Sequence, residues 1–211
     1  HNMNIYRGCN QGCIYCDSRS DCYKIRDFDH IKPKKEAPNI IDHQLISMRQ
    51  KGIIGMGAMS DPYNHLERNL EFTRKALISI NKNGFGTFCI TKNKLVTRDI
   101  DIYQSINNHS YVNIGITITT SDEALQKNIE PGSSSTTERF MALKELTDRG
   151  LYAGILMMPI LPYINDTIEN IESIVNRAYE AGAKYIYPAF GVTLRDGNRE
   201  FFYRKIDISR K

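Results

Sequence analysis

The sequence predicts an α/β fold in which helices pack on a parallel β-sheet. Six short runs rich in Ile, Val, Phe and Tyr alternate with stretches whose apolar residues follow helical spacing. Few charges interrupt these runs, as expected of strands that are buried on both faces. Successive β–α units favour parallel pairing, so functional side chains should collect at the carboxyl ends of the strands. Six units are too few for a closed eight-stranded barrel. Periodicity alone leaves an open (β/α)6 partial barrel and a doubly wound sheet as alternatives.

The strands and helices alternate along the whole chain. The predicted strands are residues 3–7, 52–58, 86–91, 111–119, 152–158 and 184–190. The predicted helices are residues 37–51, a helix from Asp61-Pro62 to Gly84, residues 97–108, two helices begun by capping boxes at residues 120–123 and 135–138, and a helix from residues 166–169 to Gly182. Aromatic residues between 185 and 203 either cover a substrate or form an inner face that awaits a missing C-terminal helix, and we favour the inner face. We expect residues 1–211 to form one domain that lacks short flanking segments, because the chain begins almost inside its first strand and ends just past its sixth.

The composition is that of an ordinary globular protein and excludes several classes. Apolar residues make up 41% of the chain and charged residues 25%. No apolar run approaches the length that spans a bilayer, and the polar first residues do not begin a secretory signal. The net charge of +4 tolerates nucleic acid as a partner without requiring it. One short basic run, Lys32-Pro-Lys-Lys35, is expected to be a solvated loop.

Four of the five cysteines lie within the first 22 residues. A secreted disulfide scaffold would spread its cysteines and pair them evenly, so this clustering indicates metal or redox chemistry in a reducing cytoplasm. Cys9, Cys13 and Cys16 follow the first predicted strand with the spacing C-x3-C-x2-C, and glycines beside them allow a tight loop. Three thiolates can each bind one iron of a cubane cluster. Since ordinary electron carriers use four cysteines, three leave one iron open to an exogenous ligand.

Two other kinds of site use similar residues. A zinc ion could take the three cysteines with a histidine, but the nearest histidines, His1 and His30, do not lie at the usual ligand spacing. Cys22 could be a fourth ligand of an electron-carrying cluster, although its spacing matches no ferredoxin run and a loop thiol is favoured. Cys89 lies in an apolar strand and is expected to be a core residue. The alternative function is therefore an iron–sulfur or zinc binding module without radical catalysis.

The cysteine spacing, with an aromatic residue before the last cysteine, resembles the signature of the radical S-adenosylmethionine (SAM) superfamily. The chain as a whole resembles the branch of spore photoproduct lyase relatives often labelled DNA repair photolyase-like. The matching stretches are residues 6–16, 60–63, 91–92, 98–99, 130–131 and 159–162. The resemblance implies a partial (β/α)6 barrel, a [4Fe–4S] cluster on the three cysteines, and reductive cleavage of SAM to a 5′-deoxyadenosyl radical that takes hydrogen from a substrate. It also implies a one-electron donor such as a flavodoxin or ferredoxin.

The same resemblance implies cofactor contacts for residues near the first three strand ends. Tyr15 would pack near the adenine, unless it is a core aromatic residue. Met59, Ser60 and Asp61 would contact the methionyl amino group, and Asp61 could also cap the helix that follows. Lys92 would bind the methionyl carboxylate, the alternative being a solvated lysine.

Further contacts are implied at the later strands. Thr117 and Thr119 would meet the ribose, although threonine is also simply a good strand former. Arg139 would reach the methionyl carboxylate, or pair with Glu130 to shape the site, or form a surface ion pair. Spore photoproduct lyase uses a cysteine to return hydrogen to its thymine-dimer product, and alignment puts Ala58 at that position. We therefore expect that this chain does not repair spore photoproduct by that route; its substrate, nucleic acid or another, stays open.

Overall fold

The computed structural model describes the backbone of residues 1–209 and the side chains of residues 1–206. The strands are β1 (Asn2–Met3), β2 (Tyr6–Arg7), β3 (Lys32–Pro33), β4 (Ile53–Met56), β5 (Gly86–Thr91), β6 (Val112–Thr117), β7 (Ala153–Ile160) and β8 (Ile186–Phe190). The helices are α1 (Ala37–Ser47), α2 (Glu67–Leu70), α3 (Phe72–Lys82), α4 (Ile100–Asn107), α5 (Glu123–Ile129), α6 (Thr136–Asp148), α7 (Ile168–Glu180) and α8 (Asn198–Ser209).

Six of these strands form one parallel sheet in the order β1-β4-β5-β6-β7-β8. The predicted α/β class and the six-stranded parallel sheet are confirmed. The order follows the chain without reversing, whereas a doubly wound sheet reverses its order at a switch point. The sheet is therefore an open partial barrel, and the carboxyl ends of its strands lie along a single rim.

The first predicted strand is divided in the structure. Only β1 joins the main sheet, through β4, while β2 leaves it and pairs antiparallel with β3. The segment around Lys34 causes the change of direction. Its backbone nitrogen donates to the Ile5 carbonyl at 3.1 Å, and its Nζ donates to the Asn4 carbonyl at 2.8 Å. The cysteine loop that follows β2 is thereby carried over the rim of the sheet.

The second predicted helix starts later than Asp61-Pro62 and is interrupted. It begins at Glu67, breaks at Glu71, where the backbone has φ of +52°, and continues as α3. The predicted start fails because the side chain of Asn64 accepts from Leu66 N at 3.0 Å and turns the preceding segment. Asp61 consequently lies in a turn at the rim, where its carboxylate faces the ends of neighbouring strands.

One of the two predicted capping boxes is present. Ser135 and Glu138 exchange the reciprocal hydrogen bonds that begin α6. The box at residues 120–123 is wrong, because Asp122 caps α5 instead. Glu123 reaches forward to the backbone nitrogens of Thr136 and Thr137, at 3.1 and 2.7 Å, and so joins α5 to α6.

Two apolar clusters hold the fold together. The larger lies between the sheet and the helices. The smaller lies beneath the cysteine loop, where Cys13, Ile14 and Tyr15 pack with Ile129, Leu161 and Phe202. No helix among the described residues is long and apolar enough to cross a membrane.

The aromatic residues near the end of the chain are divided between the edge strand β8 and the helix α8. Phe202 belongs to α8 and is buried against the cysteine loop, whereas Tyr187 and Phe190 on the edge strand β8 are exposed. The guanidinium of Arg19, just after the last loop cysteine, lies 3.8 Å from the ring centroid of Phe201 on α8. α8 therefore supports the cysteine loop from behind.

Candidate functional site

The cysteine loop is held in a tight path by its neighbours. Gly8 and Gly12 have φ of +79° and +70°, and a Cβ at Gly12 would lie 2.8 Å from Cγ of Pro131. The backbone nitrogen of Gly132 donates to the Gln11 carbonyl at 2.9 Å. Gly132 is equally constrained, because a Cβ there would lie 2.1 Å from the Asn10 carbonyl oxygen. Glycine is therefore required at these positions. The loop packs directly against Pro131 and Gly132, which follow α5.

The loop and the rim of the sheet enclose a cavity of about 140 Å³. Eight of the eleven residues predicted to form the site line it: Cys9, Cys13, Cys16, Met59, Ser60, Asp61, Lys92 and Thr117. The other three predicted residues, Tyr15, Thr119 and Arg139, are buried behind the lining. The structure therefore brings the cysteines together with polar residues at the ends of β4, β5 and β6.

The three thiols suit an iron–sulfur cluster by their chemistry and their surroundings. Burial raises the pKa of Cys9 to about 11 and raises that of Cys13 as well, so both are protonated at neutral pH and metal binding must displace their protons. Among the described residues, no three His, Cys, Asp or Glu side chains are grouped as one metal ion requires. A cubane differs, because each thiolate binds its own iron. Three thiols on one loop are thus the donor set that a cubane cluster takes.

The two histidines considered as zinc ligands lie outside this cavity. The terminal amino group of His1 donates to the carbonyl of Ile53, at the amino end of β4, at 2.9 Å. The cavity lies at the opposite, carboxyl end of that strand. The exposed side chain of His30 lies beside Asp27, 3.9 Å away. Cys22 is exposed and does not line the cavity within the described chain.

Asp61 joins the cysteine loop to two strand ends. Its Oδ1 accepts from Tyr63 N at 2.8 Å and from the Thr91 hydroxyl at 2.7 Å. Its Oδ2 accepts from Gln11 Nε2 at 2.9 Å and from Lys92 N at 2.8 Å. A carboxylate has about four lone-pair positions, and these four donors occupy them. Asp61 thus ties the loop, its own turn and the end of β5 together.

Ser60 and Met59 make further contacts with the segment around the cysteines. The Ser60 hydroxyl donates to the carbonyl of Gly8 at 2.5 Å. The hydroxyl of Ser18, two residues after Cys16, lies 3.7 Å from Sδ of Met59. The residues predicted to meet the methionyl amino group are therefore also the ones that fix the loop.

Lys92 supplies a positive charge at the end of β5. Desolvation alone would lower its pKa, but the acidic groups of Cys13 and Glu130 outweigh that effect and the pKa is raised. Its ammonium nitrogen lies 5.7 Å from the ring centroid of Tyr15. Within the described chain no carboxylate comes within 4 Å of this nitrogen. The half-buried cation is thus available to an anionic group in the cavity.

A buried ion pair lies behind the cavity. Arg139 is 1% exposed, and its Nη1 lies 2.7 Å from Oε2 of Glu130, which is fully buried. Glu130 also accepts from the Tyr15 and Thr119 hydroxyls, and Arg139 Nη1 donates to the Thr117 carbonyl at 2.8 Å. Burial raises the pKa of Glu130, but the positive charges beside it outweigh burial and lower the pKa overall. A surface ion pair, one of the alternatives for Arg139, is therefore wrong.

Sequence reasoning did not include Gln11, a buried polar residue of the cavity, among the site residues. Its side chain is buried against Asp61 and lines the cavity beside the cysteines. The only signal in the sequence was its position between two cysteines, and residues at such positions often do no more than complete the loop.

Residues 3–200 match the model of the Radical SAM superfamily. An uncharacterized protein of Methanocaldococcus jannaschii is 33% identical over 167 residues, which cover 78% of this chain and 61% of that protein. An uncharacterized protein of Mycobacterium bovis is 24% identical over 210 residues, which cover 96% of this chain and again 61% of the relative. This chain thus spans about three fifths of the length of these relatives.

Two solved structures share the fold. Spore photoproduct lyase complexed with dinucleoside spore photoproduct superposes with a TM-score of 0.73 at 14% identity, covering 100% of this chain and 62% of the lyase. Native anSMEcpe with bound AdoMet superposes with a TM-score of 0.59 at 14% identity, covering 90% of this chain and 50% of that one. At this identity the likeness concerns the fold alone.

Proposed function

Because this chain belongs to the radical SAM superfamily, we propose that Cys9, Cys13 and Cys16 hold a [4Fe–4S] cluster and that SAM binds beside them. When bound, the two groups supply a one-electron cleavage that releases methionine and a 5′-deoxyadenosyl radical, which takes hydrogen from a substrate. The supporting observation is the single cavity in which three thiols meet a lysine and the polar ends of three parallel strands. Membership of the superfamily implies that the protein binds an iron–sulfur cluster and SAM. We propose which residues of this chain hold them.

Different residues of the cavity would hold the [4Fe–4S] cluster and SAM. The cysteines ligate iron, and Lys92 presents its cation to the methionyl carboxylate. The Thr117 hydroxyl is available for the ribose at the end of β6. The Glu130–Arg139 pair keeps the layer behind the cavity rigid, since each charge is already matched. The reducing electron would come from a partner such as a flavodoxin or ferredoxin in the cytoplasm.

Ala58 supports a reaction other than spore photoproduct repair by the lyase route. It lines the cavity at the position where the resemblance places a hydrogen-donating cysteine. The thiols that line this cavity, within the described residues, are the three proposed cluster ligands. Cys89 is buried in β5 and is not part of the lining. After a substrate radical forms, its hydrogen would therefore have to come from another source than a cysteine at position 58.

Formation of 5′-deoxyadenosine tests the proposed function. The protein is reconstituted with iron and sulfide without oxygen, reduced with dithionite and given SAM. We expect 5′-deoxyadenosine from the wild-type protein and none from Cys16→Ala. Cys22→Ala is the matched control, because this cysteine is exposed and outside the cavity, and it should behave as wild type.

Two results would contradict the proposal. One is the absence of 5′-deoxyadenosine although electron paramagnetic resonance shows an intact reduced cluster. The other is zinc without iron after anaerobic purification, which would favour the binding module. A separate titration of nucleic acid binding against salt addresses the substrate class, since phosphate contacts weaken as salt rises and a flat response would argue against them.

A further inference from the structure

A second cavity adjoins the proposed cofactor cavity on the side of β2 and β3. Its volume is about 210 Å³, and it shares only Met59 and Ser60 with the cofactor cavity. None of the three loop cysteines lines it. Two cations lie in its wall, Arg7 on β2 and Lys34 directly after β3. No carboxylate is among the described residues that line this cavity, so its positive charge is not neutralised from within.

Main-chain carbonyls hold both cations in place. Nη2 of Arg7 donates to the carbonyl of Lys24 at 2.8 Å, and Nζ of Lys34 donates to the carbonyl of Asn4 at 2.8 Å. Within the part of the chain that the structure describes, no carboxylate lies within 4 Å of either cation. A carbonyl occupies one donor and leaves the charge unmatched, so the remaining donors of both side chains are available to a ligand.

The segment beside this cavity carries most of the excess positive charge of the chain. Residues 24–35 include five Lys or Arg and two Asp, a net charge of +3, whereas the whole chain has +4. Asp29 is already paired with Arg19, and Asp27 lies beside His30. The basic run at residues 32–35 is therefore more than a solvated loop, because it begins with a strand paired to β2 and continues into the wall of the cavity.

The cavity wall also offers a surface for a flat or apolar group. Tyr23 and Ile25 line it, and the Tyr23 hydroxyl donates to Oδ2 of Asp17 at 2.9 Å, which holds the ring. The charge of Asp17 is matched by Arg195, whose Nε lies 3.4 Å from Oδ1. Asp17 is therefore a weak counter-charge for the two cations of the cavity.

A guanidinium and an ammonium group at one cavity match an anion that carries two negative charges. A terminal phosphate is such a group, since it carries a charge of about −1.5 to −2 at neutral pH and has three strong acceptor oxygens. We propose that this second cavity binds a small phosphomonoester, with its phosphate at Arg7 and Lys34 and its organic group against Tyr23 and Ile25. The inference goes beyond the proposed function and requires neither the cluster nor SAM.

Phenyl phosphate is the probe, because it joins a terminal phosphate to a single ring. Its Kd for the reconstituted protein is measured by calorimetry at pH 8 and low salt, where the phosphate is a dianion and screening is weak. We expect Arg7→Gln and Lys34→Gln each to weaken binding about tenfold, the lower end for losing a hydrogen bond between charged groups, because both side chains are exposed. Lys35→Gln is the matched control, since this exposed lysine does not line the cavity, and it should bind as wild type does.

Two further comparisons test the two parts of the ligand. Methyl phenyl phosphate, a diester with one negative charge, should bind wild type about tenfold more weakly than phenyl phosphate, because it leaves one cation unmatched. Inorganic phosphate lacks the ring and should also bind more weakly than phenyl phosphate. Tyr23→Leu should reduce this second difference while it retains the affinity for inorganic phosphate.

Four results would overturn the inference. Wild type might not bind phenyl phosphate, or it might bind the diester equally well, which would mean that the two cations do not act together. Equal losses in Lys35→Gln and Arg7→Gln would indicate a diffuse basic surface. A loss in Lys92→Gln without a loss in Arg7→Gln or Lys34→Gln would place the phosphate in the cofactor cavity instead. Arg7→Gln and Lys34→Gln test the site separately, so either one decides the question if the other does not fold.

Discussion

Removing the positive partner of the buried Glu130–Arg139 pair should destabilise the protein strongly. Arg139→Met keeps most of the side-chain volume but leaves Glu130 without the charge that lies 2.7 Å away. Breaking a buried ion pair in this way typically costs about 3–5 kcal/mol. Lys92 and the Tyr15 and Thr119 hydroxyls still favour the Glu130 carboxylate, so we expect the lower end, about 3 kcal/mol. For a chain of this size, that lowers Tm by roughly 6–12 °C.

Thermal and urea unfolding of the metal-free protein, followed by circular dichroism, measure this loss. Lys144→Met is the matched control, because Lys144 and Asp148 form an exposed pair on α6 at 3.0 Å. Such a pair contributes no more than about 0.5 kcal/mol. A loss below about 1 kcal/mol for Arg139→Met would refute the reasoning, since it would mean that Glu130 does not depend on its partner.

The pH dependence separates lost charge from lost packing. The pKa of Glu130 is lowered in the folded wild-type protein, because the positive charges beside it outweigh burial. Its ionisation therefore stabilises the fold above the unfolded-state pKa, about 4.3, and this contribution is lost as pH falls through the folded value. In Arg139→Met the Glu130 pKa should rise, so the difference in stability between wild type and variant should be largest near pH 7 and shrink towards pH 4. A difference that does not change with pH would indicate packing alone.

Three further predictions concern the cysteine loop. Gly12→Ala should reduce iron content and stability, because φ is +70° and the new Cβ would lie 2.8 Å from Pro131. Gly150→Ala is the control: it shares the positive φ but has no atom within 4 Å of the new Cβ, so it should lower stability without lowering iron content. Equal iron loss in both variants, measured by elemental analysis, would contradict this prediction. Asp61→Asn should lower the iron content by loosening the cysteine loop, because the carboxylate holds Gln11 and the backbone nitrogen of Lys92. Unchanged iron content and unchanged SAM binding would show that the carboxylate is not needed to hold the loop. Iron loading should release protons and proceed faster as pH rises from 7 to 9, because burial raises the pKa of Cys9 to about 11; a rate independent of pH would show that thiol deprotonation does not limit loading.

The sequence predicts the sheet well because buried parallel strands are marked by continuous apolar runs. Strand β5 has the predicted bounds, and the other strands of the main sheet fall within or close to the predicted runs. The first run is misread because the chain stays apolar after it leaves the main sheet at Met3, since Ile5 and Tyr6 pack in the larger apolar cluster. The turn between Asp61 and Glu67 is misread because Asp-Pro is a common helix start. The structure turns this segment through the local hydrogen bond from Leu66 N to Asn64, and it holds the Asp61 carboxylate by two long-range hydrogen bonds from Thr91 and Lys92 that no local pattern contains.

The candidate site shows the same limit. The cysteine spacing identifies the loop, and the resemblance to the radical SAM superfamily implies Ser60, Lys92 and Thr117, which lie where parallel strands present functional groups, at their carboxyl ends. Whether a residue lines the cavity or lies one layer behind it depends on side-chain direction, which spacing does not give. Tyr15 and Arg139 are on the correct segments but turn towards Glu130. Gln11 carries no pattern of its own and becomes visible only through its partner Asp61.

The anchors of the cysteine loop determine when it can form during synthesis. The segment precedes in sequence all the groups that hold it, which belong to Phe28, Ser60, Asp61, Ile129 and Gly132. A nascent chain that has not yet reached Gly132 lacks the wall against which the loop turns. The iron-binding segment is therefore translated before the residues that shape it, so insertion of the metal has to wait until Gly132 has been made and the chain has folded around the loop.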